Sequence, residues 1–284
     1  MTAKKKIIIG IIASLLLALV SWTIWGNTAL ELNCYTVTGE ELPEAFDGFR
    51  IAHVSDLHNT ELGQNNEKLI AMLRDARPDI IVITGDLIDS RNTDIAVALG
   101  FAEQAMQIAP CYYVTGNHEA RISSYPKLKK GLTDLGVLVL EDARLEITRS
   151  GESIVLMGVD DPSFEEDYLF GDAETLVENK LTELMDEEDN YTILLSHRPE
   201  LFEIYADSGV NLILSGHAHG GQFRLPFVGG LVAPNQGVFP EYDAGQYTDD
   251  HTCMIVSRGV GNSIIPFRFN NRPEVILIEL KTAQ

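Results

Sequence analysis

The chain has 284 residues, 45% hydrophobic and 22% charged, an ordinary globular composition apart from its N-terminal segment. Acidic side chains number 42 and basic ones 21; Lys4, Lys5 and Lys6 are the only charges in residues 1–27, which leaves 18 basic against 42 acidic groups, a net −24, in the remainder. Such a surface excludes broad electrostatic binding of nucleic acid or anionic headgroups, and three cysteines without a C-x-x-C pair (Cys34, Cys111, Cys253) exclude a disulfide framework or a thiolate metal site.

In chain order, the first feature is an uncharged run of 19 residues, Ile7 to Trp25, directly after the three lysines. At about 1.5 Å per helical residue it nearly crosses a hydrocarbon core of roughly 30 Å. A cleaved signal peptide shares the basic-then-apolar order, but its apolar part usually spans about 7 to 15 residues and ends at a small-x-small site. This run is longer and leaves through Trp22 and Trp25, residues typical of a membrane interface, so an uncleaved transmembrane helix is expected. The lysine asymmetry makes residues 1–27 a cytoplasmic tip and single-pass anchor in the cell membrane, with the rest extracytoplasmic. Residues 28–44 read as a juxtamembrane segment. Cys34 is a poor lipidation site, because Asn33, not a small residue, precedes it.

Beyond residue 44, apolar strand-like runs alternate with helix-like segments joined by turn residues. Phe49 to Ser55, Asp79 to Thr84 and Cys111 to Thr115 read as strands, with helices from Gln64 to Ala76 and Asp94 to Gln107 between them. This βαβ rhythm predicts right-handed crossovers and a largely parallel first sheet. Val137 to Leu140, Leu145 to Thr148 and Ser153 to Val159 are shorter and closely spaced, which predicts antiparallel pairing at a sheet edge. A helix from Ala173 to Leu184 follows, then strands Tyr191 to Ser196 and Asn211 to Ser215 around a helix near Glu200 to Ala206. The tail ends in strands near Thr252 to Ser257 and Val275 to Leu280. Two acidic clusters, Asp160, Asp161, Glu165, Glu166 and Asp167, and Asp186 to Asp189, lack EF-hand spacing and read as a solvated loop and a helix end. No linker-like tract divides residues 45–284, so they form one domain.

Four short motifs stand at the C-terminal ends of the expected strands: Asp56-Leu57-His58, Gly85-Asp86, Gly116-Asn117-His118-Glu119 and Gly216-His217-Ala218-His219; Ser196-His197 makes a fifth. Loops beyond strand C-termini in an open α/β sheet face one crevice, so these side chains can converge. Five of the seven histidines fall inside the motifs, which chance would scatter. Carboxylate, amide oxygen and imidazole without thiolate suit divalent manganese, iron or zinc. Adjacent glycines allow sharp turns and close approach of ions or phosphate. A bound cation would also supply the local positive charge that an acidic protein needs to attract a phosphate-bearing substrate.

The ordered set resembles the calcineurin-like metallophosphoesterase family, whose pattern runs D-x-H, G-D, G-N-H-[DE], a lone His after a strand, then G-H-x-H. The resemblance covers roughly Phe49 to Ile278 and fills every ligand position. Within the family, the run from Gly216 to Gln222 and the preceding apolar segment look like the bacterial membrane-associated phosphodiesterase branch, which includes enzymes acting on UDP-diacylglucosamine. Ala218 departs from the Thr usual there and removes no ligand. The resemblance implies a four-layer α/β/β/α sandwich with two mixed sheets. It also implies one ion held by Asp56, His58, Asp86 and His219 and a second by Asp86, Asn117, His197 and His217. Two ions about 3.5 to 4 Å apart share a water, lower its pKa and present hydroxide to phosphorus. His118 would protonate the departing alkoxide or stabilise the transition state.

The expected activity is hydrolysis of a phosphomonoester or phosphodiester, on an envelope lipid or nucleotide-linked substrate, by direct water attack; no G-x-S-x-G nucleophile motif is present. Arg224, Arg258 and Arg268 could grip a distal phosphate. Phe223, Phe227, Phe239 and Tyr242 lie where either a substrate-facing wall or core packing is expected. The rival readings are a non-catalytic metal-binding scaffold of the same fold, which should have lost ligands, and a nuclease, which should carry a basic groove.

Overall fold

The computed structural model describes residues 2–165, 173–186, 190–262 and 265–283. Helix α1 (Ala3–Thr28) spans 26 residues, and an 18-residue stretch within it has a mean hydropathy of 2.6, long and apolar enough to cross a membrane by length and composition. Strands β1 (Glu31–Gly39), β2 (Arg50–Val54), β3 (Ile80–Thr84), β4 (Cys111–Val114) and β5 (Leu138–Val139) follow. Helices α2 (Glu67–Ala76), α3 (Ile95–Met106), α4 (Asn117–Ala120) and α5 (Tyr125–Asp134) lie between them. The second half comprises β6 (Ala143–Arg149), β7 (Glu152–Gly158), α6 (Ala173–Leu184), β8 (Thr192–Leu195), α7 (Phe202–Asp207) and β9 (Leu212–Ser215). Four two-residue strands come next, β10 (Arg224–Leu225), β11 (Gly229–Gly230), β12 (Val232–Ala233) and β13 (Gly237–Val238). The chain closes with β14 (Gly245–Asp249), β15 (Thr252–Val256) and β16 (Glu274–Thr282).

Among the described residues two six-stranded sheets form, in the orders β1-β16-β2-β3-β4-β5 and β14-β15-β9-β8-β7-β6. Both are mixed. In the first, only the β16–β2 pair is antiparallel; in the second, β14–β15 and β6–β7 are.

Alternation along each strand sorts its residues between layers. In β3, Ile80 and Val82 face the second sheet, where they meet Leu156, Ile193, Leu195 and Leu214. Ile81 and Ile83 face the opposite way, onto Leu69 and Leu73 of α2, Phe101 of α3 and Leu128 of α5. The outer face of the second sheet, with Met157, Leu194 and Ile213, packs on Val177 and Leu181 of α6 and Phe202 and Tyr205 of α7. The layers are therefore helix, sheet, sheet, helix, with a sheet-on-sheet core between two helix-on-sheet cores.

The juxtamembrane segment, residues 28–44, contributes a sheet strand: β1 pairs with β16 over nine residues and buries Val37 between the sheets. Two expectations change. The close-spaced strands after Gly136 do not form one antiparallel edge. β5 joins the first sheet parallel to β4, and only β6 and β7 make a hairpin, in the second. Asp160 and Asp161 are not solvated: Asp161 is buried against Arg198, and Asp160 bonds to Thr115 Oγ1 at 2.7 Å. Glu166, Asp167 and Glu187 to Asp189 lie outside the described residues.

Candidate metal centre

The five motifs sit where β2, β3, β4, β8 and β9 end, all on the same side of the two sheets. Backbone bonds stitch these loops together. Asp56 N donates to Gly85 O at 3.2 Å, His58 N to Asp86 O at 2.9 Å, and Gly216 N to His197 O at 3.2 Å. Asp56, His58, Asp86, His217 and His219 all take left-handed backbone, φ between 46° and 65°. Non-glycine residues rarely adopt that region, and such strain concentrates at functional sites.

Six of the seven expected ligands form two buried clusters. Asp56, His58, Asp86 and His219 offer ligand atoms within 4.8 Å of one another, and so do Asp86, His197 and His217, with Asp86 common to both. Asn117 is buried beside the second cluster, 2.9 Å from His217 Nδ1. A pure hydrogen-bonding account would turn its amide nitrogen toward His217 and its oxygen toward the Arg121 guanidinium; a cation requires the reverse, oxygen inward.

The donor set fits cations by its own chemistry. His58 Nε2 and His219 Nε2 converge to 3.2 Å, and His197 Nε2 and His217 Nδ1 to 3.1 Å. These convergent nitrogens, and not the opposite ring atoms, are the ones a cation would take. Burial opposes the charged ring of His197, but Asp86 overcomes this and pushes it up to about 10; His219, where burial dominates, falls to about 3. Burial would raise the Asp86 carboxyl, but His197 and His58 hold it well below the usual carboxylate range. The pocket thus concentrates ionised carboxylates beside imidazoles, a set in which a divalent ion can take the place of the proton that Asp86 holds on His197.

Supporting contacts orient the ligands. His197 Nδ1 meets Thr84 O at 2.7 Å, which assigns its proton to Nδ1 and leaves Nε2 facing Asp86. His217 N donates to Asp56 Oδ2 at 3.1 Å, and His118 N to Asp86 Oδ1 at 2.8 Å. Glu119, fully buried, accepts from Asp86 N and Gly116 N at 2.9 Å each, so one carboxylate joins the β3 and β4 loops. Sequence reading names Glu119 only as part of a motif, because its partners are backbone amides 33 and 3 residues away, which no side-chain pattern marks.

His118 is buried, and Ser90 N donates to its Nδ1 at 3.0 Å. Burial depresses the ring to about 4, so it is neutral near pH 7 with its proton on Nε2. Arg224, Arg258 and Arg268 do not offer themselves to a phosphate. Arg224 pairs with Asp243 at 3.0 Å and Arg258 with Glu274 at 2.7 Å; Arg268, 1% exposed, donates to the carbonyls of Arg258 and Gly261. Arg121, which sequence reading passes over, is exposed, with its guanidinium 3.0 Å from the Asn117 amide.

Two carboxylate and imidazole pockets fused at one aspartate, at the strand ends of a four-layer sandwich, make a site able to hold divalent metals. Residues 49–221 match the calcineurin-like phosphoesterase family, and the chain belongs to it. It is 31% identical to the uncharacterised metallophosphoesterase YkuE of Bacillus subtilis (strain 168) over 260 residues, 89% of this chain and 86% of that one. It is 30% identical to a transmembrane protein with metallophosphoesterase domain from Danio rerio over 86% of this chain and 56% of that one. The structure of TT1561 of Thermus thermophilus shares the fold, with a TM-score of 0.52 at 15% identity over 75% of this chain and 90% of that one. The chain is thus a metallophosphoesterase with a buried Asp and His cluster able to hold divalent metals.

Proposed function

We propose that the protein hydrolyses a phosphoester with two divalent ions, one held by Asp56, His58, Asp86 and His219 and the other by Asp86, Asn117, His197 and His217. The observation that carries the reading is the single buried carboxylate, Asp86, common to both clusters. Manganese, iron and zinc all suit the donors. When bound, the ions supply Lewis acidity, which lowers the pKa of a water and offsets phosphoryl charge. His118 presents its Nε2 proton to the leaving oxygen, while Ser90 N opposes protonation at Nδ1 and so keeps the ring in this tautomer. Arg121, at the exposed rim, meets a second phosphoryl oxygen. A scaffold that only bound partners would not need the complete ligand set.

Helix α1 anchors the domain in the cell membrane with the site extracytoplasmic, and the substrate is a lipid-linked or nucleotide-linked phosphoester of the envelope. Metal analysis of the purified chain, paired with assays on para-nitrophenyl phosphate and its bis ester, tests the chemistry. Near two equivalents of metal and hydrolysis of at least one ester are expected. Asp86→Asn should lower activity by more than about 100-fold, beyond the roughly 10- to 100-fold typical when a ligand's supporting partner is lost. Full activity in that variant would rule out the bridging role. Faster turnover of soluble aryl phosphates than of any lipid-linked ester would count against the envelope substrate.

A further inference from the structure

Beyond the last ligand pair the chain builds two short hairpins, β10–β11 and β12–β13, whose outer surface is apolar and stays uncovered among the described residues. Val228 and Val238 are exposed, and Phe227 and Phe239 stand 108% and 62% exposed at turns. Both phenylalanines hold left-handed backbone, φ 67° and 57°, a conformation that bulky side chains rarely adopt. Strain is therefore retained where two aromatic rings face outward, a combination that points to use at a surface rather than to packing.

This surface is continuous with the end of α1. Phe239 N donates to Leu231 O at 2.9 Å, Leu231 N to Phe223 O at 2.8 Å, and Arg224 N to Phe269 O at 3.0 Å. The Phe223 ring packs on Phe267 at 5.4 Å. Between the exposed Phe267 and Phe269 lies Arg268, whose backbone is clasped by one side chain from the last turn of α1. Arg268 N donates to Asn27 Oδ1 at 2.6 Å, and Asn27 Nδ2 donates to Arg268 O at 2.9 Å. Arg272 lies over the Trp25 ring at 4.8 Å and donates to Ala29 O at 2.8 Å. The apolar patch is thus fastened beside the point where the apolar helix ends. Its other side is pressed on the metal centre: Leu231 N donates to Gly221 O at 3.0 Å, and a Cβ on Gly221 would collide with the Gly230 backbone.

We propose that Phe227, Val228, Val238, Phe239, Phe267 and Phe269 form a second bilayer contact, inserted in the leaflet at which α1 emerges, so that the metal centre opens at the lipid surface. The inference rests on the membrane reading of α1 given above. Contact is through apolar insertion and not attraction to anionic headgroups. Residues beyond 27 carry a net −24, and the nearby Arg224, Arg258 and Arg272 are all held by internal carboxylates.

The test uses the full chain in phosphatidylcholine vesicles with and without brominated lipid. In a Cys34→Ser background, where Cys111 and Cys253 are buried, an environment-sensitive fluorophore is placed at Phe227→Cys or, as control, at Lys130→Cys on α5. The native emission of Trp22 and Trp25, the two tryptophans of the chain, reports the anchor separately. Brominated lipid should quench the label at position 227 in both low and high salt and leave position 130 unchanged. Quenched tryptophans with an unquenched label at 227 would overturn the second contact and leave the anchor standing. Tryptophans that escape quenching would overturn the anchor and this inference with it. Quenching at 227 that disappears in high salt would overturn apolar insertion.

Discussion

His118 differs from His58, His197, His217 and His219, because a backbone amide rather than a place in a ligand cluster decides its tautomer. Its effect should therefore depend on the leaving group. His118→Asn should cut turnover of an alkyl phosphoester by about 10²- to 10³-fold, the usual worth of one hydrogen-bond donor placed at a developing oxyanion. The loss should be smaller with para-nitrophenolate, which departs without a proton; parallel steady-state rates and metal content check this. Equal losses on both esters would assign His118 to structure. Gly216 tests the ligand loops in another way. A Cβ there would collide with Ser55 Oγ and the Asp56 carboxylate, atoms that cannot retreat without moving a ligand. Gly216→Ala should fold yet bind less metal, read by metal analysis after dialysis.

At the level of elements, the site exists because β2, β3, β4, β8 and β9 all end on one side and each is followed by a turn that carries at least one of the expected ligands. The strands are legible because fully buried runs such as Ile80–Thr84 are continuously apolar. Helix α3 shows its N-cap as well, since Asp94 accepts from Ala96 N. Helix α5 is not legible: Pro126 and Gly131 interrupt a short pattern whose buried positions are only Tyr125, Leu128 and Leu132. The acidic turn after β7 departs from expectation for a different reason. Its composition points to solvent, but Thr115 and Arg198, 45 and 37 residues away, supply the partners. Burial raises the Asp160 carboxyl from 3.8 to about 7, so the folded state binds its proton more tightly than the unfolded chain. That contribution is complete below about pH 4 and is lost as pH rises through about 7. Asp160→Asn should therefore flatten the fall of the thermal midpoint across that window. An unchanged pH profile would show that the group titrates normally.

For the whole molecule, the decisive question is where the folded unit begins. A cut after Thr28 removes α1 and keeps β1, whereas a cut after Glu44 strips nine ladder residues from β16 and opens the inter-sheet core at Val37. The first truncation should melt close to the full chain. The second should melt lower by more than about 5 °C, given roughly 2 to 4 °C per kcal/mol for a domain of this size, or fail to fold. Indistinguishable midpoints by scanning calorimetry would favour the boundary read from composition.

The sequence by itself determined the apolar helix, the alternation of strands and helices, and which Asp and His residues gather in one buried cluster. These depend on local periodicity and on side-chain types set at strand ends, and both can be read within a window of a few residues. Tertiary structure alone decided that β1 is a sheet edge, that Arg224, Arg258 and Arg268 are internally engaged, and that an apolar pair of hairpins adjoins α1. Each of these depends on pairings between distant parts of the chain, such as Asn27 with Arg268 across 241 residues, and no local pattern encodes which distant partner a carboxylate, a guanidinium or a strand edge will meet.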